Sequence, residues 1–173
     1  MKQSNVLFLA QSAVIAALYA LLTYAAAAAG LAYGPVQFRF SEVLTILPVF
    51  TPAAIPGLAV GCLLANIASS FAVADMIFGT LATLLAAVIL YLARNIRIRG
   101  IPLLSALAPV VFNTVIVGLE IAWFFLPEGF TAMGFLLSGL EVGAGELVIC
   151  VGLGIPFAML LEKTGAAKRI FRF

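Results

Sequence analysis

Histidine is absent from the 173-residue sequence, which excludes the commonest general base and the commonest transition-metal ligand of proteins. Charged residues are scarce at 9% of the chain, whereas hydrophobic residues make up 65% and the mean hydropathy is +1.24. This composition is far too apolar for a soluble domain. GxGxxG and Walker motifs are also missing, so the chain has no recognisable machinery for nucleotide hydrolysis. The sequence therefore predicts an integral membrane protein without a soluble catalytic module.

Six hydrophobic stretches divide the chain, and all but the shorter second one approach the ~20 residues that a helix needs to cross a bilayer. The runs are continuous rather than alternating, which favours helices over a barrel. Pro52 and Pro56 separate the second and third stretches and favour a turn or a broken helix. We predict an all-α membrane protein whose six transmembrane helices form one compact bundle, with residues 1–173 as a single domain. The predicted spans are 6–29, 41–52, 57–73, 77–94, 102–126 and 131–162.

Apart from Arg39, the basic residues occur in three groups, which six crossings place on one side of the membrane. The positive-inside rule makes that side cytoplasmic. We therefore expect a multi-pass protein of the cell membrane with both termini in the cytoplasm, and with residues 30–40, 73–77 and 127–130 outside. The three groups are Lys2; Arg94, Arg97 and Arg99; and Lys163, Lys168, Arg169 and Arg172.

Acidic residues outnumber basic ones inside the hydrophobic segments. The segments contain Glu42, Glu120, Glu141 and Glu146, but only one base, Arg39. Charges at membrane depth are expensive and mark functional sites. The imbalance suits a ligand that is cationic or rich in hydrogen-bond donors, and it disfavours an anion. A cation channel or a proton-coupled carrier would also place carboxylates in the membrane.

The external stretch from Tyr33 to Glu42 is the most distinctive local motif, because Gln37 and Arg39 alternate with aromatic residues. Ser41 is placed to cap the second helix, and Arg39 to pair with Glu42. Two interpretations stay open: a structural loop held by that pair, or a gate over an outward-facing pocket.

The fifth segment carries Asn113 and Glu120, and their seven-residue interval returns to nearly the same helical face. Both side chains would be costly against lipid, so we expect Glu120 to line a pocket. Trp123 is either an interfacial anchor or a surface on which a flat ligand stacks. Asn66 and Asp75 are weaker candidates, and Asp75 is equally explained as a solvated helix cap.

In the sixth segment, Glu141 and Glu146 are five residues apart, roughly 140° around a helix, and so point in different directions. We expect a structural role for Glu146. Cys62 and Cys150 have small apolar neighbours and are interpreted as buried thiols rather than as a disulfide or a metal site.

Small residues in the first segment, including Ala13 and Ala17 at i and i+4, permit close helix approach. Ordinary packing within this chain explains them, and so does a docking face for another membrane subunit.

The sequence resembles the QueT proteins, predicted substrate-binding S components of energy-coupling factor (ECF) transporters. The resemblance rests on the length, on the six-span plan, on the stretch from Tyr33 to Pro48 (YGPVQFRFSEVLTILP) and on the acidic fifth and sixth segments. It implies uptake of a queuosine precursor, a 7-deazaguanine such as pre-queuosine-1. A separate module of two ATPases and a transmembrane coupling protein would drive uptake.

The resemblance also implies that Ala13 and Ala17 contact the coupling protein, and that Gln37 to Glu42 belong to the gate. ATP would be used by the partner subunits, so no cofactor is expected on this chain. We also expect no bound metal and no nucleic-acid partner. A stand-alone ion- or proton-coupled transporter of a small cationic or purine-like solute is the rival hypothesis. A membrane enzyme is disfavoured, because histidine and a nucleophile–base arrangement are missing.

A guanine edge presents parallel N–H donors that a carboxylate accepts in bidentate fashion. We therefore expect one of Glu120 and Glu141 to bind that edge and another acid to meet a ligand ammonium group. Asn113 or Gln37 would donate to the ring carbonyl, and Trp123 would stack on the ring. Arg39, Glu42 and Asn66 complete the predicted substrate-binding set.

Overall fold

Helices follow the apolar runs of the sequence in the computed structural model, which describes residues 3–33, 36–69 and 71–171. The all-helical class is confirmed. In chain order the elements are α1 (Gln3–Ala28), a 3-10 helix (Phe40–Val49), α2 (Ala54–Asn66), α3 (Ala72–Leu92), α4 (Leu103–Phe124), α5 (Ala132–Glu146), a π-helical stretch (Leu147–Gly154), α6 (Ile155–Lys163) and α7 (Ala166–Ile170).

Within the described residues, four helices are long and apolar enough to cross a membrane: α1, α3, α4 and the continuous run Ala132–Lys163 formed by α5, the π-helical stretch and α6. They match the predicted spans 6–29, 77–94, 102–126 and 131–162 closely. The predicted spans 41–52 and 57–73 correspond to the shorter 3-10 helix and α2. At about 2.0 and 1.5 Å per residue, each of these extends only about 20 Å, less than the ~30 Å of a hydrocarbon core. The prediction of six crossings therefore depends on this short pair.

The 3-10 helix and α2 form a hairpin against α1. The 3-10 helix begins beside the C-terminal part of α1, where Thr23 Oγ1 donates to Ser41 Oγ at 2.7 Å. Beyond its end, Thr51 Oγ1 donates to Gln11 Oε1 at 3.2 Å, so the two helices run in opposite directions. Ser41 does not cap the helix, since no side chain caps its N-terminus and Ser41 is bonded to α1 instead. The expected break between the two helices is confirmed and contains Pro52, whereas Pro56 lies in the first turn of α2.

Small residues permit the close helix crossings. At the contact between α4 and α5, a Cβ on Gly118 would lie 2.7 Å from Gly139 Cα, so neither backbone could approach as closely with a larger residue. Gly61 of α2 lies similarly close to Ala16 of α1, where an added Cβ would be 2.9 Å from the carbonyl oxygen. Cys62 and Cys150 are buried free thiols, as predicted.

Apart from Arg39, the basic groups that the structure describes lie toward one end of the bundle. Arg97, in the connection between α3 and α4, pairs with Glu162 near the end of α6 at 2.6 Å. Gln11 Nε2 donates to the Ile170 carbonyl oxygen at 2.9 Å, which brings α7 to the first part of α1. Lys2 and Arg172 lie outside the described residues. The end of α2, the start of α3 and the end of α4 therefore form the opposite end of the bundle.

Candidate substrate-binding site

A polar pocket lies inside the bundle, toward the end opposite the Arg97–Glu162 pair. We call it the inner pocket. It encloses only about 10 Å³ of free space, close to the minimum for one water molecule. Polar side chains from the loop before the 3-10 helix, from that helix and from α2 to α5 line it. They are Gln37, Arg39, Glu42, Asn66, Asp75, Thr83, Asn113, Glu120 and Glu146.

Most of the predicted substrate-binding residues meet at this pocket. Those that line it are Gln37, Arg39, Glu42, Asn66, Asn113 and Glu120. The shared face of Asn113 and Glu120 is confirmed, since both are buried and border the same space. Trp123 is not brought to it: its side chain is 62% exposed and packs on Phe130, with ring centroids 5.2 Å apart. The indole therefore covers the outside of the bundle, one turn beyond the pocket.

Arg39 does not pair with Glu42 as predicted. Its Nη1 donates to Asn66 Oδ1 at 3.0 Å and its Nε to the Ala32 carbonyl oxygen at 3.2 Å, while the guanidinium lies 5.3 Å from the centre of the Tyr33 ring. Asn66 also donates from Nδ2 to the Asp75 carbonyl oxygen at 2.7 Å. Both amide atoms of Asn66 are thus already bonded to protein. Asn66 positions Arg39 and joins α2 to α3.

Glu42 is held instead by α1. The Tyr19 hydroxyl donates to Glu42 Oε1, and both side chains are buried. The second carboxylate oxygen, Oε2, is buried without a hydrogen-bond partner. Buried polar groups are nearly always bonded, so this oxygen is available to a ligand.

Glu120 is the least satisfied acid of the pocket. Its side chain is 1% exposed, and both carboxylate oxygens are buried without a hydrogen-bond partner. Asp75, which lies close enough to interact with Glu120, is another acid, and a buried carboxylate is very costly unless a cation or a donor joins it. The sequence-based expectation that Glu120 lines a pocket is therefore confirmed by its position.

Both acids of the sixth segment border the site, but at different depths. Glu146, which we expected to be structural, is buried and lines the inner pocket, whereas Glu141 is exposed and lines a separate space above it. Cys150 Sγ donates to Glu146 Oε2 at 3.1 Å. Glu42, Glu146 and Cys150 each place a donor atom within 4.8 Å of the others, a spacing that could hold a metal ion. The expectation that no metal binds stays a prediction.

A larger space, the outer cavity, adjoins the inner pocket and shares Gln37 and Asp75 with it. Its volume is about 350 Å³, within the range of small-molecule sites. The rings of Phe71 and Phe125 stack at its edge with centroids 3.8 Å apart. Its other lining residues are Tyr33, Ser69, Ile121, Leu126, Ser138 and Glu141.

Asp75 is not a solvated helix cap. It lies within the first turn of α3, is 9% exposed and accepts a hydrogen bond from the Ser69 hydroxyl. Its position between the two spaces makes it a stronger site candidate than the sequence indicated.

The loop before the 3-10 helix crosses the bundle between the two spaces. The Gln37 carbonyl lies so close to Gly145 of α5 that any side chain there would overlap it. The Tyr33 hydroxyl donates to the Ala65 carbonyl oxygen at 2.7 Å, and burial raises the pKa of this phenol, so it remains a donor. Gly34 and Pro35, part of the predicted gate motif, lie outside the described residues.

The profile of the QueT transporter family matches residues 9–163, which is most of the chain. This chain belongs to the QueT transporter family. The expectation that it is not an enzyme is thereby confirmed, and its apolar helices make this family member a multi-pass membrane protein.

One similar protein is named Queuosine precursor transporter QueT and comes from Lactococcus lactis subsp. cremoris (strain MG1363). It is 38% identical to this QueT family member over 84 residues, which cover 49% of each chain. The match therefore spans about half the length of that relative. No solved structure matches the chain.

Sequence reasoning missed two side chains that support the pocket of this QueT family member. Tyr19 binds Glu42, and Thr83 lines the inner pocket while its hydroxyl donates to Cys62 Sγ at 3.3 Å. Both residues carry a hydroxyl within an apolar helix. That hydroxyl needs a partner in the membrane, and this signal could have identified them.

Proposed function

We propose that this chain is the substrate-binding S component of an ECF-type importer for a queuosine precursor, a 7-deazaguanine such as pre-queuosine-1. The observation that carries the proposal is the inner pocket, where the carboxylates of Glu42 and Glu120 keep unpartnered oxygens beneath an aromatic-edged cavity. Acceptors without donors suit a flat ligand rich in N–H groups. Family membership and the name of the Lactococcus relative support the substrate class.

The proposed topology has six crossings, with the 3-10 helix and α2 as the two short ones. Outside these two helices, residues 37–39 and residues 67–69 continue the chain toward the outer end as irregular and turn segments. The basic end of the bundle, marked by Arg97, is cytoplasmic under the positive-inside rule. Both termini are then cytoplasmic, and the outer cavity opens to the outside.

The proposed partners are a transmembrane coupling protein and two ATPase subunits that use ATP. Ala13 and Ala17 support this, because both are exposed on α1 while Ala16 and Ala20 are buried against the bundle. Packing within the described chain thus accounts for Ala16 and Ala20 but not for Ala13 and Ala17. Ala13→Leu should impair assembly with the coupling protein and spare substrate binding, whereas loss of both would indicate a folding role.

The proposed ligand contacts follow the two spaces. Glu42, Glu120 and Asn113 contact the part of the ligand that enters the inner pocket, and Glu141 and Gln37, which line the outer cavity, are the candidates for the ring edge. Phe71 and Phe125 replace Trp123 as the stacking surfaces, because they line the outer cavity and Trp123 does not.

Calorimetric titration of the purified protein with pre-queuosine-1, guanine and an unrelated vitamin tests the substrate. We expect a clear preference for the deazaguanine, and equal or absent binding of all three would refute the proposal. Glu128→Gln is the matched control for substitutions of the pocket acids. It removes an exposed acid of the connection after α4 and should leave binding unchanged.

The coupling mechanism needs its own test, because buried carboxylates also suit a proton-coupled carrier. In liposomes, we expect substrate uptake only when the coupling protein and both ATPases are present. ATP must also be supplied on the side of the membrane where the ATPases lie. Uptake by this chain alone under a proton or sodium gradient would favour the stand-alone transporter instead.

A further inference from the structure

The two spaces of the site differ greatly in size. The outer cavity, at about 350 Å³, accommodates a bicyclic ring, whereas the inner pocket, at about 10 Å³, accommodates a group the size of one water molecule. A ring of roughly ten heavy atoms does not fit the inner pocket. Only a small substituent of the ring can enter it.

The free acceptors of the inner pocket match one particular substituent. Three carboxylate oxygens of its lining are buried without partners: Glu120 Oε1, Glu120 Oε2 and Glu42 Oε2. An ammonium group has three N–H donors and no acceptor. A neutral nitrile or carbonyl offers no donor and would leave the three oxygens unsatisfied.

The other charged groups near these oxygens do not substitute for such a ligand. Arg39 directs its guanidinium to Asn66 and Ala32, and Glu146 accepts from Cys150. Among the described residues that line the pocket, Arg39 is the one basic side chain against Glu42, Asp75, Glu120 and Glu146. The pocket therefore keeps an excess of negative groups that an inserted cation would balance.

We propose that the substrate binds with its ring in the outer cavity and with a primary ammonium group inserted into the inner pocket, against Glu120 and Glu42. This orientation rests on the proposed function and adds to it a direction and a charge requirement. The ring edge then faces Glu141 in the outer cavity, and the ring lies beside Phe71 and Phe125. Recognition of the ammonium and recognition of the ring are thus assigned to different acids.

Two ligands that differ only in the inserted group provide the test: 7-aminomethyl-7-deazaguanine and 7-cyano-7-deazaguanine, titrated calorimetrically into the wild type, Glu120→Gln and Glu141→Gln. The wild type should bind the aminomethyl compound at least about tenfold more tightly than the cyano compound, as expected for charge-assisted hydrogen bonds. Glu120→Gln should remove most of that preference, because it should weaken binding of the aminomethyl compound and leave binding of the cyano compound unchanged. Glu141→Gln should weaken both compounds by a similar factor and keep the preference.

The inference is overturned if Glu120→Gln weakens both compounds equally, or if Glu141→Gln is the variant that removes the preference. In either case at least one deazaguanine still binds, so the proposed function survives while the orientation fails. If neither compound binds the wild type, the proposed function fails and the orientation with it. Retained binding of the cyano compound by Glu120→Gln shows that this variant is folded.

Discussion

Two regions of the molecule treat charge in opposite ways. At the basic end, Arg97 and Glu162 form a bidentate pair whose side chains are 31% and 36% exposed. In the inner pocket, Arg39, Glu42 and Glu120 are almost completely buried, and the acids there keep free oxygens. Charges that are matched and solvated need no further explanation. Charges that are buried and unmatched imply a missing partner, and this difference identifies the site.

The same comparison separates stability from function. Under the positive-inside rule, the total number of positive charges at one end matters for orientation, so no single side chain at the basic end should be essential. In the inner pocket Arg39 and Asn66 are bonded to specific protein groups, whereas Glu42 and Glu120 keep oxygens without a partner. Single substitutions should therefore have much larger effects in the pocket than at the basic end.

Replacing Arg39 with Gln should cause the largest loss of stability. The change removes two hydrogen bonds from a charged donor and withdraws the positive charge nearest the pocket acids. We expect the free energy of unfolding to fall by about 3 kcal/mol or more, measured by SDS-driven unfolding in mixed micelles. A loss below about 1 kcal/mol would contradict the view that Arg39 anchors the loop to α2.

The sequence predicted the parts of this fold that depend on local pattern. Hydropathy located the long helices to within a few residues, and the two prolines located the break before α2. The seven-residue interval placed Asn113 and Glu120 on one face, because a regular helix fixes relative phase. These inferences needed no knowledge of which other helix lies opposite.

The remaining errors concern absolute direction and long-range partners. Helical phase separated Glu141 from Glu146 correctly, but it did not indicate which of them faces the interior. Arg39 was expected to pair with Glu42, three residues away in sequence. It instead donates a hydrogen bond to Asn66, which tertiary packing brings beside it. Tyr19 and Glu42 are likewise 23 residues apart in sequence. Such contacts depend on the arrangement of helices, which one sequence does not encode in its local pattern.

Tyr19→Phe should produce an intermediate effect. It removes the donor to Glu42 Oε1 and leaves both oxygens of that buried carboxylate without protein partners. We expect a loss of about 1–3 kcal/mol in the same unfolding measurement. Tyr24→Phe is the matched control, since the Tyr24 hydroxyl donates to the Leu64 carbonyl oxygen from an exposed position. If both variants lose the same amount, burial of the Glu42 carboxylate is not the cause.

Arg97→Gln should produce the smallest effect, although the pair it breaks has the better geometry. Arg97 makes two hydrogen bonds to Glu162, at 2.6 and 3.1 Å, but water competes for both groups. We expect a loss below about 1 kcal/mol, and a smaller one at high salt because screening weakens exposed pairs. A loss equal to that of Arg39→Gln would mean that pairing, rather than burial, sets the energetic importance of a charge in this protein. The contrast between the two arginines would then no longer identify the inner pocket as the place where a ligand is missing.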